Sequence, residues 1–451
     1  MTYQLPRRDM FKLAGGAFAG AWLLTGCGSS GGGSSSGIEY WGAFPTPETE
    51  EYFRSQFIDT FNESTSYSVS MSTKQLTDLA SLTDTAVSSG NAPDIIYSPG
   101  PSTSVNYAQG LKTLELDDYA TEYGWEDRLL PWATQLSRVD DRLHSVPTSY
   151  GSMVLYYNRT VFEDNGWTPP TTKAEFEDLC EEADSKGMIP VGAGNSGYPA
   201  QSEWYLTCLL NAGLGPHFLY DVLTGDRDWS DPAVVDLIQS MKSQLDKGWW
   251  GGGADRYFTN TDPDMCTGLA TGDVAMYMSG TWSFASMGSF FTDSGNDPQD
   301  WDWAPLPSLA DGVDPGVFPL AIGTALSIDS GSTDPDAAAA FLDHIMGDTT
   351  RSLEYLAEQG ENPPPVAYEP TDFPEGTDPR VQRLYEQIPE SENLGYASWT
   401  FLPPETNTAL YTEFDKVITG DMSPKEYTEI LDSTFHQELG AGAAPAPFTP
   451  Q

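Results

Sequence analysis

Trp41, Phe44, Tyr97, Tyr150, Trp204 and Trp282, with Ser98 and Glu203 among them, fall at the ends of apolar runs or in the turns beside them. Indole and phenol faces stack on the C–H face of a pyranose, while carboxylates, hydroxyls and backbone groups hold its hydroxyl edge. A sugar covers part of one ring face, so each ring contributes about 1–2 kcal/mol at roughly 25 cal/mol per Å². Three or four rings with edge hydrogen bonds reach the roughly 8 kcal/mol of a micromolar receptor. The chain has 13 Trp, 22 Tyr and 20 Phe, so most aromatics are core and the argument rests on the set.

Other chemistries have less support. His144, His217, His344 and His436 show neither H-E-x-x-H nor clustered metal spacing. There is no nucleophile elbow and no phosphate loop, so no catalytic residue, metal or cofactor is assigned. A secreted carbohydrate-active hydrolase is the alternative from another class, and it needs two carboxylates flanking the bond. Among 66 acidic residues such pairs arise everywhere and carry no weight.

The elements that must position these residues read as alternating strands and helices. Ile38 to Trp41 is a short strand. Thr46-Pro47 with Glu48, Glu50 and Glu51 starts a helix whose buried stripe is Phe53, Phe57 and Phe61. Tyr67, Val69 and Met71 alternate as a strand. Leu76, Leu79, Leu82 and Ala86 mark a helix that Gly90-Asn91-Ala92-Pro93 ends, and Asp94 to Tyr97 is a buried strand. This β-α-β-α-β order predicts a mostly parallel sheet covered by helices. The alternation recurs: strands at 153–157, 188–193 and 274–278, helices around Phe176 to Ala183, Glu203 to Ala212, Asp231 to Leu245, Phe341 to Met346, Leu353 to Ala357, Thr408 to Ile418 and Pro424 to Glu438. In open parallel sheets ligands bind beyond the carboxyl ends of strands. Tyr97 and Ser98 leave one strand, Tyr150 is placed in the turn before the Met153 strand, Glu203 and Trp204 open a helix, and Trp282 follows a strand through Ser279-Gly280-Thr281.

Several segments carry a family likeness in consistent order: Ser89-Gly90-Asn91-Ala92-Pro93-Asp94-Ile95, His144-Ser145-Val146-Pro147-Thr148 with Leu155-Tyr156-Tyr157-Asn158, Thr168-Pro169-Pro170-Thr171-Thr172, residues 268–276, and Gly280-Thr281-Trp282. From about Ile38 to Leu439 the chain resembles the family 1 extracellular solute-binding proteins of ABC importers. The resemblance implies a two-lobed α/β fold of the type II periplasmic-binding-protein kind, each lobe a mostly parallel sheet flanked by helices. One lobe spans 38–149 and 323–347, the other 150–322 and 348–440, with crossings near Tyr150, 319–323 and 347–351. It implies sugar-stacking aromatics at Tyr97 or Ser98, Trp204, Trp282 and Trp399, the last reached only through the likeness. It also implies permease subunits in the membrane as partners and a monomer in solution. Maltose-type members carry charged ligand groups after the third strand, where this chain has Pro99-Gly100-Pro101, so maltodextrin specificity does not carry over. A non-sugar solute or a sensory role on the same fold are further alternatives.

The chain's opening residues read as an address. Arg7-Arg8-Asp9-Met10-Phe11-Lys12 precedes an apolar run from Leu13 to Leu24, too short for the about 20 residues of a membrane span. A twin-arginine export signal over 1–26 is expected. Leu24-Thr25-Gly26-Cys27 resembles a lipobox, which makes Cys27 the expected lipid attachment on the extracellular face of the membrane. Residues 28–37 are only Gly and Ser, a flexible tether, and 441–451 read as a loose tail. Cys180, Cys208 and Cys266 are expected as buried thiols.

The net charge of −45 comes from acids spread along the whole length. Self-repulsion strains such a chain in dilute buffer and fades at molar salt, where the Debye length is about 3 Å. That points to salt adaptation. With no basic stripe to neutralise phosphates, nucleic acid is excluded as a partner.

Overall fold

The computed structural model describes residues 37–75 and 78–450, so the export signal, Cys27, nearly all of the tether and Leu76 lie outside the described residues. The strands are β1 (Gly37–Gly42), β2 (Ser68–Thr73), β3 (Ile95–Ser98), the short pair β4 (Arg138–Val139) and β5 (Arg142–Leu143), β6 (Val146–Asn158), β7 (Ile189–Gly192), β8 (Val274–Gly280), β9 (Trp301–Ala304), β10 (Phe318–Ile328) and β11 (Leu394–Tyr396). The main sheet runs β2-β1-β3-β10-β6-β8-β7, with β11 added to β10 and β9 to β6.

Two lobes share this sheet. In the first, β1 pairs in parallel with β2 and β3, and β3 takes the last residues of β10 in antiparallel register, Ala325 opposite Ser98. In the second, β7 and β8 are parallel, β8 and β9 run antiparallel to β6, and β11 is parallel to the start of β10. β6 and β10 run through both lobes and pair with each other from Leu320–Ser152 to Leu326–Val146. Their register slips between Ile322 and Ala325, a bulge that bends the ribbon where the lobes meet. Parallel pairing thus holds within each lobe except at one crossing strand: β10 runs against β3 in the first lobe, and β6 runs against β8 and β9 in the second.

Local sequence explains most helix boundaries. Thr46 Oγ1 accepts from the Thr49 N–H (3.1 Å), with Pro47 next in line, and Phe53, Phe57 and Phe61 are all buried. Thr172 and Glu175 form a reciprocal capping box on the Lys173–Ser185 helix, and Asp231 caps Pro232–Asp246. The three described cysteines are free and buried. No helix among the described residues is long and apolar enough to cross a membrane.

Four expectations need correction. The crossing expected near 347–351 is not there: the Thr349–Gln359 helix packs on the first lobe, with Tyr355 5.3 Å from Tyr52 and 5.5 Å from Phe57. Tyr150 is not in a turn: it stands inside the unbroken β6, fully buried, its ring 5.8 Å from Trp132 and 5.2 Å from Tyr385. Ser149, Gly151 and Ser152 look turn-like, yet pairing with β10 supplies the backbone bonds that a turn would otherwise leave to water. On the Leu79–Ser89 helix Leu82 is 43% exposed, and Thr83 and Val87 complete the buried face. The final segment is docked as far as it is described. Phe448 is buried against Tyr396 (4.7 Å) and Phe401 (5.7 Å), and its carbonyl accepts from the Tyr396 hydroxyl (2.7 Å). One aromatic side chain anchors a stretch whose Ala/Pro/Gly composition suggested none.

Candidate functional site

Three tryptophans from separate segments meet on the second lobe. Trp204 sits in the first turn of the Ser202–Leu214 helix, Trp282 in the turn that ends β8, and Trp399 in the short Ser398–Phe401 helix after β11. The Trp204 and Trp282 rings lie 5.0 Å apart at 58°, and Trp282 and Trp399 5.8 Å apart at 65°. Tyr198 extends the row, 5.9 Å from Trp204. Angled contacts of this kind are favourable for quadrupolar rings and keep parts of their faces clear. All three indoles are only partly buried, and none of their N–H groups has a partner among the described residues.

The backbone fixes this arrangement. A Cβ at residue 280 would stand 2.1 Å from the Trp282 ring, so the indole folds back over the chain only because Gly280 has no side chain. The Tyr156 hydroxyl holds the Gly280 carbonyl at 2.7 Å. The Ser398 N–H donates to Thr207 Oγ1 (3.1 Å), and Ser102 Oγ from the first lobe donates to the Trp399 carbonyl (3.1 Å).

Two carboxyls of this lobe pair with no cation among the described residues. Glu203 is 5% exposed, and its Oε2 accepts from Asn407 Nδ2 (2.8 Å). Burial pushes its carboxyl up to about 7, against the smaller downward pull of that hydrogen bond. Asp415 accepts from Asn195 (3.0 Å) and is pushed up to about 6, again by burial. The half-exposed Tyr198 phenol is raised by desolvation first and by the charge of Glu203 second. Tyr97 itself is partly buried and pushed up to about 12 by burial.

The other sequence-predicted residues divide. Phe44 lines a cavity of about 110 Å³ on the first-lobe side, with Tyr40, Ser149, Thr324, Tyr355, Glu361 and Asn362 around it. Burial pushes Glu361 up to about 7. Asn362 connects this cavity to the tryptophans, because its Oδ1 accepts from Thr281 Oγ1 (3.5 Å), the residue before Trp282, and from the Tyr385 hydroxyl (3.1 Å). Trp41 is already engaged: its Nε1–H donates to Glu39 (2.8 Å) and the Lys74 ammonium lies 4.3 Å above its ring. Ser98 is buried and donates to the Ala325 carbonyl (3.1 Å), so its hydroxyl ties β3 to β10 and offers nothing to a ligand. Tyr150, inside the core, presents no face either.

Sequence reasoning missed Tyr198, Asn407, Glu361 and Asn362. The run Asn362-Pro363-Pro364-Pro365 was a signal for the last two, since three prolines fix an extended stretch. It also missed that Asp228 and Asp432 flank His436 at 3.6 Å each; this group is mostly at the surface, and the Trp229 N–H already uses Asp432.

A family model described as bacterial extracellular solute-binding protein matches residues 56–374. The chain belongs to that family. Family and neighbours are binding proteins of transport systems rather than enzymes. The diacetylchitobiose binding protein of Streptomyces coelicolor is 29% identical over 185 residues, 38% of each chain. The xylose/arabinose-binding protein of Haloferax volcanii is 24% identical over 204 residues, 45% of this chain and 42% of that one. The chain therefore spans about two fifths of the length of the curated relatives it matches. Among solved structures, a chitin oligosaccharide binding protein superposes with a TM-score of 0.77 at 20% identity, covering 90% of this chain and 99% of that one. The GacH receptor of Streptomyces glaucescens gives 0.70 at 18% identity, covering 90% and 99%. At such identities the likeness is one of fold: two lobes of the type II solute-binding kind.

Proposed function

We propose that this solute-binding protein captures a mono- or oligosaccharide outside the cell and delivers it to the permease subunits of an ABC-type importer. The observation that carries the reading is the meeting of Trp204, Trp282 and Trp399, ring against ring, with their indole N–H groups unpartnered among the described residues. Partly open aromatic faces suit the C–H face of a pyranose, and Glu203 beside them suits its hydroxyl edge. The curated relatives' names, diacetylchitobiose and xylose/arabinose, support the same ligand class.

The binding step follows from the two crossing strands. Ligand held by both lobes favours a closed arrangement over an open one by the extra contacts it makes there, and the bulge in β10 is where the lobes hinge. The permease would then recognise the closed form. Anchoring through a lipid on Cys27 after twin-arginine export, a monomeric state and dependence on high salt complete the reading. A thermal-shift screen of xylose, arabinose, maltose and N,N′-diacetylchitobiose in molar salt tests it. One or more sugars should raise the melting temperature by several degrees, and no rise with any of them, together with turnover of any oligosaccharide, would put the protein in a different class.

A further inference from the structure

The tryptophans lie on one side of the Thr281–Asn362 hydrogen bond. On the other side, the cavity lined by Phe44, Tyr40 and Tyr355 carries a complementary pair of polar groups. Glu361 is its only charged lining residue, and the carboxylate has no hydrogen-bond or ion-pair partner among the described residues. The next residue, Asn362, spends its Oδ1 on Thr281 and Tyr385, which leaves both Nδ2 hydrogens without a partner among the described residues. That amide nitrogen lies over Gly151 of β6, where a Cβ would come within 3.0 Å of it, so the glycine allows the approach. An acceptor with two oxygens and a donor with two hydrogens thus stand side by side, walled by aromatic rings and by the hydroxyl residues Thr148, Ser149 and Thr324.

This pairing matches a hydroxyl, which both donates and accepts, and it matches two neighbouring hydroxyls best, because a carboxylate can take one on each oxygen. A divalent cation is a poorer fit: calcium takes six to eight oxygen ligands, usually several of them carboxylates, and only one is here. At about 110 Å³ the cavity also exceeds the roughly 10–15 Å³ that a single water needs. We propose that Glu361 and Asn362 form a second, polar subsite at the lobe junction that binds a vicinal diol of the sugar whose ring face stacks on the tryptophans. The inference rests on the sugar-binding reading above and adds to it the group that selects hydroxyl configuration.

The subsite also predicts a proton signature. The titratable groups around Glu361 are Tyr40 on β1 and Tyr355 on the Thr349–Gln359 helix, both raised far from neutrality, so Glu361 alone titrates there near pH 7. Two hydroxyl donors favour its ionised form, so ligand capture should expel a fraction of a proton.

The test is calorimetric titration of the full chain, Glu361→Gln, Asn362→Ala and Trp282→Ala with xylose, arabinose and N,N′-diacetylchitobiose, each at pH 7 in two buffers of different ionisation enthalpy. The inference expects E361Q to weaken the best of these sugars tenfold or more and to reduce proton release, with the ligand-free melting temperature unchanged or raised. N362A, which separates the amide from the carboxyl, should weaken the same sugar about fivefold. Unchanged affinity in E361Q and N362A, with W282A still weakened, overturns the subsite and leaves the sugar reading standing. Binding of none of the three sugars by the unaltered protein overturns both.

Discussion

Two aromatic clusters, one on each lobe, use the same residue types to opposite ends. On the first lobe Phe53, Phe57 and Tyr355 pack closely, Phe53 on Phe57 at 4.8 Å and Phe57 on Tyr355 at 5.5 Å, with both phenylalanines buried. On the second lobe Trp204 and Trp282 meet at a tilt of 58°, Trp282 and Trp399 edge to face, and all three stay partly open. The backbone beneath explains the difference. Phe53 and Phe57 project from the inner face of a long helix, where a neighbour four residues away covers each ring. Each tryptophan comes from a helix start or a tight turn, and because helical side chains lean back toward the N-terminus, no preceding turn of the same helix covers it. An aromatic ring is a core residue or a binding platform according to what its own element places next to it.

The largest expected effect tests the packed cluster. Phe61→Ala, one turn further along the same buried stripe and outside the Glu361 cavity, should cost about 3–5 kcal/mol of stability, read from denaturant unfolding in high salt, while leaving sugar affinity within a few-fold. If stability barely changes, the first-lobe cluster is a platform too and the contrast fails. The converse variant is Trp282→Ala, which should lower sugar affinity by about 2 kcal/mol, roughly 30-fold, and erase the thermal shift at modest ligand, with a small change in ligand-free stability. Gly280→Ala sharpens this by removing no ring. The new methyl displaces the Trp282 indole, so affinity should fall nearly as far as in W282A while Trp fluorescence shows the ring still present.

The smallest effect concerns the carboxyls beside the two clusters. Folded Glu203 and Glu361 hold their protons to about pH 7, whereas an ordinary glutamate releases its proton near 4.5. Between those values the folded state binds more protons than the unfolded chain, so their contribution to stability is complete below about pH 4.5 and declines as pH rises to about 7. The Glu203→Gln, Glu361→Gln double variant should lack this decline and be more stable than the parent at pH 8, by on the order of 1 kcal/mol in chemical denaturation. An unchanged pH profile would mean that neither carboxyl is desolvated as described.

Much of this could be read from local pattern. Caps at Thr46, Thr172 and Asp231, the Phe53-Phe57-Phe61 stripe and the alternation of strands with helices are short-range signals, because hydrogen-bond geometry and side-chain period act within a few residues. That Trp204 and Trp282 meet on one face was legible because the rule for strand ends converts position along the chain into a face of the molecule. The same rule failed at Ser98 and Tyr150, where β10, more than a hundred residues later in the chain, covers what looked like open strand ends.

The amino-acid order alone determined the elements, the acidic surface and the family motifs, since each depends on neighbours in the chain. Only the tertiary structure decided which rings remain partly open, which hydroxyls are already occupied and which carboxyls lack a cation. Glu203 meets Asn407 across 204 residues, and Asn362 meets Thr281 across 81. Burial and pairing of this kind are sums over contacts from distant segments, and no local period in a sequence encodes them.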